Sequence, residues 1–235
     1  MPVNADTIAD NLENVRRTVT DAAERWGRNT SAITVLAVSK TKPPEAIQAA
    51  AAAGQRDFGE NYLQEALAKM DAVADPALRW HFIGAIQSNK TRPIADRFDW
   101  VHTVDREKIA RRLHEQRPDD LPPLNVCLEV NVSDEPQKAG AAPEEVEALA
   151  EVVVALPRLK LRGLMALPAP AEAFEVQREP FKKLAALYEQ LRAKGFDIDT
   201  LSMGMSGDFE AAIAEGATIV RIGTAIFGER AKRTP

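Results

Sequence analysis

Short apolar runs rich in β-branched residues alternate with helical segments along almost the whole sequence. Ile33 to Val38 reads ITVLAV, a run without helical period, which is typical of a strand buried on both faces of a parallel sheet. Strict alternation of such runs with helices favours a parallel α/β fold. The pattern predicts eight strands, at 33–38, 57–59, 80–83, 100–104, 124–132, 159–167, 200–203 and 219–226.

The helices between these runs are predicted from apolar spacing and from the glycines and prolines around them. An extra amphipathic helix precedes the first strand, with apolar residues three and four apart from Ile8 to Trp26. The others are expected near 45–53, 64–73, 91–97, 106–116, 143–156, 180–194 and 207–215. No linker or change of composition interrupts the alternation. We therefore expect one α/β domain over residues 1–235, a (β/α)8 TIM barrel with an extra N-terminal helix, rather than an open doubly wound sheet or two domains.

Composition excludes several classes of partner. The chain has 30 Lys and Arg against 35 Asp and Glu, a formal net charge of -5, so no basic field is available for nucleic acid. No apolar run approaches the roughly 18–20 residues that cross a bilayer, and the first residues do not resemble a signal peptide. We expect a cytoplasmic protein with no membrane partner.

The single cysteine, Cys127, is expected to be a buried core residue.

In a barrel, reactive groups belong on the loops that follow the strands. Lys40 follows the first strand in VLAVSK, where no helical face would carry it as a surface charge. An amine held against an apolar strand end has a lowered pKa and can form a Schiff base with an aldehyde. A strand-end lysine paired with an acidic neighbour is the alternative.

Two segments rich in glycine and hydroxyl residues follow the seventh and eighth strands. SMGMSGD (202–208) and RIGTA (221–225) expose backbone N–H groups, as at the phosphate sites of many barrels. Helix capping by Ser206 or Asp208 is the alternative use of the first segment. Together with Lys40 on the neighbouring first strand, the segments outline a site for an aldehyde that carries a phosphate. Pyridoxal 5'-phosphate (PLP) fits both ends.

Arg221 lies in an otherwise apolar strand and needs a partner there. Either a buried acidic residue pairs with it, or it faces the pyridine nitrogen of PLP and leaves that nitrogen unprotonated. An unprotonated nitrogen disfavours reactions that pass through a carbanion, such as transamination.

The three histidines show no metal-ligand spacing, so we predict no metal site. His81 and His102 are expected to be satisfied core residues or walls of the site.

Six ordered segments resemble the pyridoxal phosphate homeostasis protein family, whose members are single-domain relatives of the N-terminal barrel of alanine racemase. The segments are LAVSKTKP (36–43), FGENYLQE (58–65), WHFIGAIQSNK (80–90), GLMALP (163–168), LSMGMSGDF (201–209) and RIGTAIFG (221–228). The resemblance implies a PLP site with Lys40 as the Schiff-base lysine, Arg221 at the pyridine nitrogen, Asn61 on the second loop, and the phosphate held by Ser206, Gly207, Gly223 and Thr224.

Two positions depart from the family pattern. Gly207 stands where the family often has an acidic residue, but its backbone N–H can still bind a phosphate. Ala139 stands where the family often has serine, which puts only local loop contacts in doubt. Lys138, next to it, could contact a ligand or a partner enzyme, although an exposed loop lysine is the simpler expectation.

The resemblance implies a monomeric, reversible PLP carrier that acts in intracellular PLP homeostasis and passes the cofactor to PLP-dependent apo-enzymes. A racemase- or aldolase-like PLP enzyme on the same barrel is the alternative. Racemisation needs a base on each face of the bound amino acid, and in alanine racemase the second is a tyrosine from an extra β domain. We expect no such domain, since the sequence ends seven residues after Gly228. Tyr62 is expected to cover the cofactor and could in principle act as a general acid.

Overall fold

The computed structural model describes residues 4–133 and 139–229. Eight parallel strands, β1 to β8, form a closed barrel in which each strand pairs with the next along the chain and β8 pairs with β1. The strands are Thr34–Val38, Asp57–Glu60, Arg79–Phe82, Trp100–Val104, Leu124–Glu129, Leu159–Met165, Thr200–Met205 and Ile219–Ile222. The pairing of β8 with β1 confirms the predicted barrel, because an open sheet has two edge strands, whereas here every strand pairs with a neighbour on both sides.

Helices on the outside of the barrel connect the strands. In the described part of the chain, α1 to α9 are Ala5–Arg25, Pro44–Ala52, Leu63–Val73, Thr91–Arg97, Glu107–Gln116, Val146–Val154, Phe174–Ala193, Phe209–Ala214 and Thr224–Phe227. Short 3-10 segments cover Thr30–Ala32, Ser88–Lys90 and Pro143–Glu145. Within residues 4–133 and 139–229, no helix combines the length and the apolar character needed to span a membrane.

The extra helix α1 covers the outside of the barrel where β8 meets β1. Its apolar stripe, which includes Ile8, Leu12 and Val19, is buried, and the helix contacts α2, α8 and α9. The Asn11 Nδ2 group donates a hydrogen bond of 2.9 Å to the carbonyl of Ile226 in α9. The predicted N-terminal helix therefore supports the short last helix of the barrel.

Two elements differ most from the sequence-based boundaries. Helix α7 begins at Phe174 rather than near Pro180, so the proline lies inside the helix. The early start is stabilised by Phe174, whose ring stacks on Trp26 of the segment after α1 at 5.6 Å. Strand β8 ends at Ile222, and the apolar residues predicted to extend it to position 226 form α9 instead. Apolar runs of this length do not distinguish a strand from a buried helical turn.

Candidate functional site

A cavity of about 300 Å³ opens at the carboxyl ends of the strands, the end at which barrel active sites lie. All seven residues predicted as site residues from the sequence line this cavity. Apolar side chains, among them Ile83 and Met165, form the rest of its wall. The complete lining is Val38, Lys40, Asn61, Ile83, Met165, Leu167, Met205, Ser206, Gly207, Arg221, Gly223 and Thr224.

Lys40 lies two residues beyond β1, in a turn that is held on both sides. Thr41 has φ 65°, a left-handed conformation that is unfavourable for a β-branched residue, and its N–H donates to the carboxylate of Glu65. The Lys42 Nζ group donates to the carbonyls of Phe227 at 2.8 Å and of Gly228 at 2.9 Å, at the end of α9. These contacts fix the backbone from which the half-buried Lys40 reaches the cavity.

A buried ionic cluster lies directly behind this turn. The Lys69 Nζ group donates to the carbonyl of Ser39 at 2.7 Å and to Glu60 Oε1 at 2.8 Å, and it also pairs with Glu65. The Ser39 hydroxyl donates to the same Glu60 oxygen at 2.6 Å. Burial raises the pKa of Glu60, and Lys69 opposes that shift. The cluster joins the ends of β1 and β2, the two strands that carry Lys40 and Asn61.

The segments after β7 and β8 present unused backbone donors at the cavity. The N–H groups of Ser206, Gly207, Gly223 and Thr224 make no hydrogen bond to another described residue. A Cβ added to Gly207 would meet nothing within 4 Å, so the space beside its backbone is open. Unpaired N–H groups that converge on open space suit an anion such as a phosphate.

The helix-capping alternative for this segment is wrong. Asp208 occupies the position before α8, but no side chain caps the helix there, and Ser206 makes no hydrogen bond in the described chain. The Asp208 carboxylate instead accepts the N–H of Met205 at 2.6 Å and tightens the turn. Its role is to shape the loop that carries Ser206 and Gly207.

Arg221 is 4% exposed and is held by neutral oxygens. Its Nη1 donates to the carbonyl and the hydroxyl of Ser202, at 2.6 and 2.9 Å, and its Nη2 donates to the carbonyl of Ala166 at 2.8 Å. Burial lowers the pKa of Arg221 to about 10, although the charges of Asp208 and Glu129 favour the charged form. No described carboxylate lies at ion-pair distance from Arg221, so the buried ion pair considered from the sequence is not found. Its Nε N–H donates to no described residue and is available to a group in the cavity.

Asn61 follows β2 and brings a second unsatisfied polar atom to the site. Its Oδ1 atom is buried and has no hydrogen-bond partner among the described residues. Its backbone packs tightly on Gly84, because a Cβ at Gly84 would lie 2.1 Å from the carbonyl oxygen of Asn61. A buried polar atom without a partner is costly in a native fold, so a donor from a ligand is the natural partner for Oδ1.

Other candidates lie away from the cavity. Tyr62 is 53% exposed and does not line the cavity, so it neither covers the cavity nor reaches it as an acid in this structure. Tyr188, the only other tyrosine in the sequence, lies on α7 outside the barrel, and its hydroxyl donates to the carbonyl of Ile198. Lys138 falls outside the described residues. No cluster of potential metal ligands occurs in the described ranges.

Sequence reasoning did not single out the apolar walls of the cavity. Met205 falls within SMGMSGD (202–208), which the sequence already predicts at the site, whereas Val38 and Ile83 end the predicted strands 33–38 and 80–83 and were treated only as strand residues. Their position at a carboxyl end was the available signal, because such side chains face the opening of a barrel.

Comparison with known proteins identifies the family. The sequence matches the family described as "Alanine racemase, N-terminal domain" over residues 3–231. It is 60% identical over 224 residues to the pyridoxal phosphate homeostasis protein of Pseudomonas aeruginosa, covering 95% of this chain and 96% of that protein. The corresponding values for the Escherichia coli K12 protein of the same name are 54% over 226 residues, 95% and 97%.

A solved structure agrees with this assignment. The structure of PipY from Synechococcus elongatus with PLP bound is 35% identical in sequence, with a TM-score of 0.83 over 94% of this chain and 100% of that chain. The present chain therefore belongs to the alanine racemase N-terminal domain family, among the proteins named pyridoxal phosphate homeostasis protein.

Proposed function

We propose that this protein binds PLP in the cavity at the carboxyl ends of the strands and carries it reversibly in PLP homeostasis. The observation that carries the proposal is the joint placement of Lys40, Arg221 and the unused N–H groups of the two loops around one cavity. The names of the relatives and the PLP in the PipY structure support it.

The residues present fit each part of the cofactor. When bound, PLP supplies an aldehyde that condenses with a lysine amine and releases one water. Lys40 would hold the aldehyde carbon, and the apolar wall would cover the ring. The four N–H groups of the β7 and β8 loops, which lack partners in the described chain, would hold the phosphate, and Asn61 would approach the ring from the second loop.

Arg221 would face the ring nitrogen and favour carrying over catalysis. A guanidinium only donates hydrogen bonds and stays charged at neutral pH, so it stabilises an unprotonated ring nitrogen. An unprotonated ring is a weak electron sink, which makes removal of a proton from a bound amino acid slow. The site can therefore bind the cofactor covalently without promoting amino-acid chemistry.

Reduction with borohydride tests the assignment of Lys40. We expect the protein incubated with PLP and borohydride to carry a pyridoxyl group on Lys40, located by tandem mass spectrometry of its peptides. The variant Lys40→Arg should lose this label almost completely, while Lys182→Arg, on the outer surface of α7, should keep it. A label on another lysine in the native protein, or full labelling of Lys40→Arg, would contradict the assignment.

Cofactor transfer tests the carrier role against the racemase- or aldolase-like alternative. We expect the PLP-loaded protein to reactivate a PLP-dependent apo-enzyme placed across a dialysis membrane or mixed with it. We also expect alanine, serine and threonine to be racemised or cleaved no faster than by the same concentration of free PLP. Turnover well above the free-cofactor rate, measured by chiral chromatography, would replace the carrier proposal with the enzyme alternative.

A further inference from the structure

A chain of buried polar side chains runs through the barrel interior from its amino end to Arg221. Asp57 Oδ1 lies 3.1 Å from His81 Nε2, and His81 Nδ1 lies 2.9 Å from His102 Nε2. His102 Nδ1 lies 2.8 Å from the hydroxyl of Ser202, which accepts a hydrogen bond of 2.9 Å from Arg221. All five residues are buried. Four hydrogen bonds thus connect the candidate site to a carboxylate at the other end of the barrel.

The charges at the two ends determine the direction of every hydrogen bond in this chain. Arg221 can only donate, so the Ser202 oxygen accepts from it and can give its own proton to His102 Nδ1. His102 then carries its proton on Nε2 and donates to His81 Nδ1. His81 carries its proton on Nε2 and donates to Asp57. Each ring is neutral, and each hydrogen bond has one proton.

The opposite direction fails at Asp57. If His102 carried its proton on Nδ1, its Nε2 would accept from His81, and neutral His81 would face the carboxylate of Asp57 with a bare nitrogen. A second proton on His81 would remove this repulsion, but burial lowers the pKa of His81 and lowers that of His102 further. The charges of Asp99 and Arg79 also act on His81, in opposite directions.

Neighbouring groups hold the Asp57 end of the hydrogen-bonded chain in place. Arg79 binds both oxygens of Asp57 at 2.6 Å. Burial alone would raise the pKa of Asp57, but the hydrogen bonds from Arg79 and His81 outweigh burial and lower this pKa. Trp100 stacks on His81 at 5.3 Å with an interplanar angle of 8°, which restrains the orientation of the imidazole.

We propose that Asp57, His81, His102 and Ser202 are positioning residues that hold Arg221 as an oriented donor and thereby set the protonation of the group that Arg221 faces. This inference rests on the proposed function, in which that group is the ring nitrogen of PLP. The chain connects the positive charge of Arg221 to Asp57 without placing a carboxylate beside the guanidinium. A carboxylate in that place would compete for the Nε donor, which remains available at the cavity.

The first test uses the wild-type protein without cofactor. Nitrogen-15 NMR of labelled histidines should show His81 and His102 as neutral rings with the proton on Nε2 between pH 6 and 8. His114 does not belong to the hydrogen-bonded chain, and its Nδ1 accepts a backbone N–H. It is therefore the internal control for the assignment of the nitrogen chemical shifts. A proton on Nδ1 of either buried ring, or an imidazolium in this range, would overturn the directed chain.

The second test compares two variants, Ser202→Ala and Cys127→Ala. Each removes one buried side-chain atom, the hydroxyl oxygen or the sulfur. Cys127 is buried in strand β5, which is separated from β7 by β6, and it takes no part in the hydrogen-bonded chain. With nitrogen-15 PLP bound, loss of the Ser202 hydroxyl should raise the pKa of the ring nitrogen by about one unit, since a hydrogen bond to a charged group contributes roughly 1.5 kcal/mol or more. Cys127→Ala should leave that pKa at the wild-type value.

The outcomes separate this inference from the function on which it rests. A Ser202→Ala protein that binds PLP with the wild-type ring pKa would overturn the positioning role and leave the PLP proposal intact. Failure of the wild-type protein to bind PLP would overturn the proposed function, and with it the effect on the ring. The histidine protonation in the cofactor-free protein would still decide whether the directed chain exists.

Discussion

Replacement of Lys69 by methionine is expected to lower the free energy of unfolding by about 3–5 kcal/mol at pH 7. The Lys69 side chain is 4% exposed, and the Glu60 side chain with which it pairs is 0% exposed. Methionine keeps the apolar stem but removes the ammonium, so the buried carboxylate keeps only the hydroxyl of Ser39 as a donor. Urea denaturation followed by circular dichroism measures the loss.

The same variant should have a distinctive pH dependence. Burial already raises the pKa of Glu60, and without Lys69 it should rise further in the folded state. A carboxyl with a higher pKa when folded binds more protons folded than unfolded, so stability falls as pH rises between the unfolded and folded pKa values. We expect Lys69→Met to be closest to the wild type near pH 5 and to lose stability from there towards pH 8.

Two controls define the source of this effect. Adding Glu60→Gln to Lys69→Met removes the buried charge and should restore part of the stability and abolish the extra pH dependence. Lys182→Met removes a lysine that pairs with Glu179 on the surface and should change stability by about 0.5 kcal/mol or less. If Lys69→Met cost no more than Lys182→Met, the cluster would not contribute as described.

The barrel could be predicted because each strand and helix has a local signal. Short apolar runs such as 33–38, which has no helical period, and 100–104 lie close to the observed strands. The errors occurred where local signals conflict with packing. Pro180 suggests a helix start, but the stacking of Phe174 on Trp26 extends α7 before it. The apolar residues after Gly223 fit a strand equally well and form α9 under α1 instead.

The candidate site was predictable to the extent that it consists of strand-end residues. Lys40 and Arg221 could be placed from their own strands, and the barrel rule brings strand ends together. The interior chain could not be predicted in this way, because Asp57, His102 and Ser202 come from strands far apart in sequence and meet only across the closed barrel. Each residue alone is typical of a buried polar group in a strand.

Lys69 was missed for a different reason. Together with Glu65 it forms a pair four residues apart on α3, which in a sequence is typical of a solvated helix face. That face is buried because α3 packs its first turns against the ends of β1 and β2, where Ser39 and Glu60 accept the ammonium. Burial of a charged helix position depends on this tertiary contact and has no local signal.

Replacement of Gly163 by alanine is expected to lower the free energy of unfolding by about 3 kcal/mol, and Tm by roughly 6–12 °C. Gly163 in β6 pairs with Thr200 in β7. Its φ is 151°, a backbone conformation that is strained for any residue with a side chain. A Cβ there would lie 1.9 Å from the carbonyl oxygen of Thr200, a backbone atom that cannot move without separating the two strands. Thermal denaturation followed by circular dichroism measures the shift.

Gly163→Ala should affect the site in addition to the stability of the fold. The reason is that β6 leads to Ala166, whose carbonyl accepts a hydrogen bond from Arg221. Displacement of β6 would loosen the guanidinium, and borohydride labelling of the folded variant should decrease with it. Gly207→Ala adds the same methyl group where nothing lies within 4 Å, so its stability should stay within about 0.5 kcal/mol of the wild type. Equal Tm values for the two variants would contradict close packing of β6 on β7, since only one methyl group is placed against a backbone carbonyl.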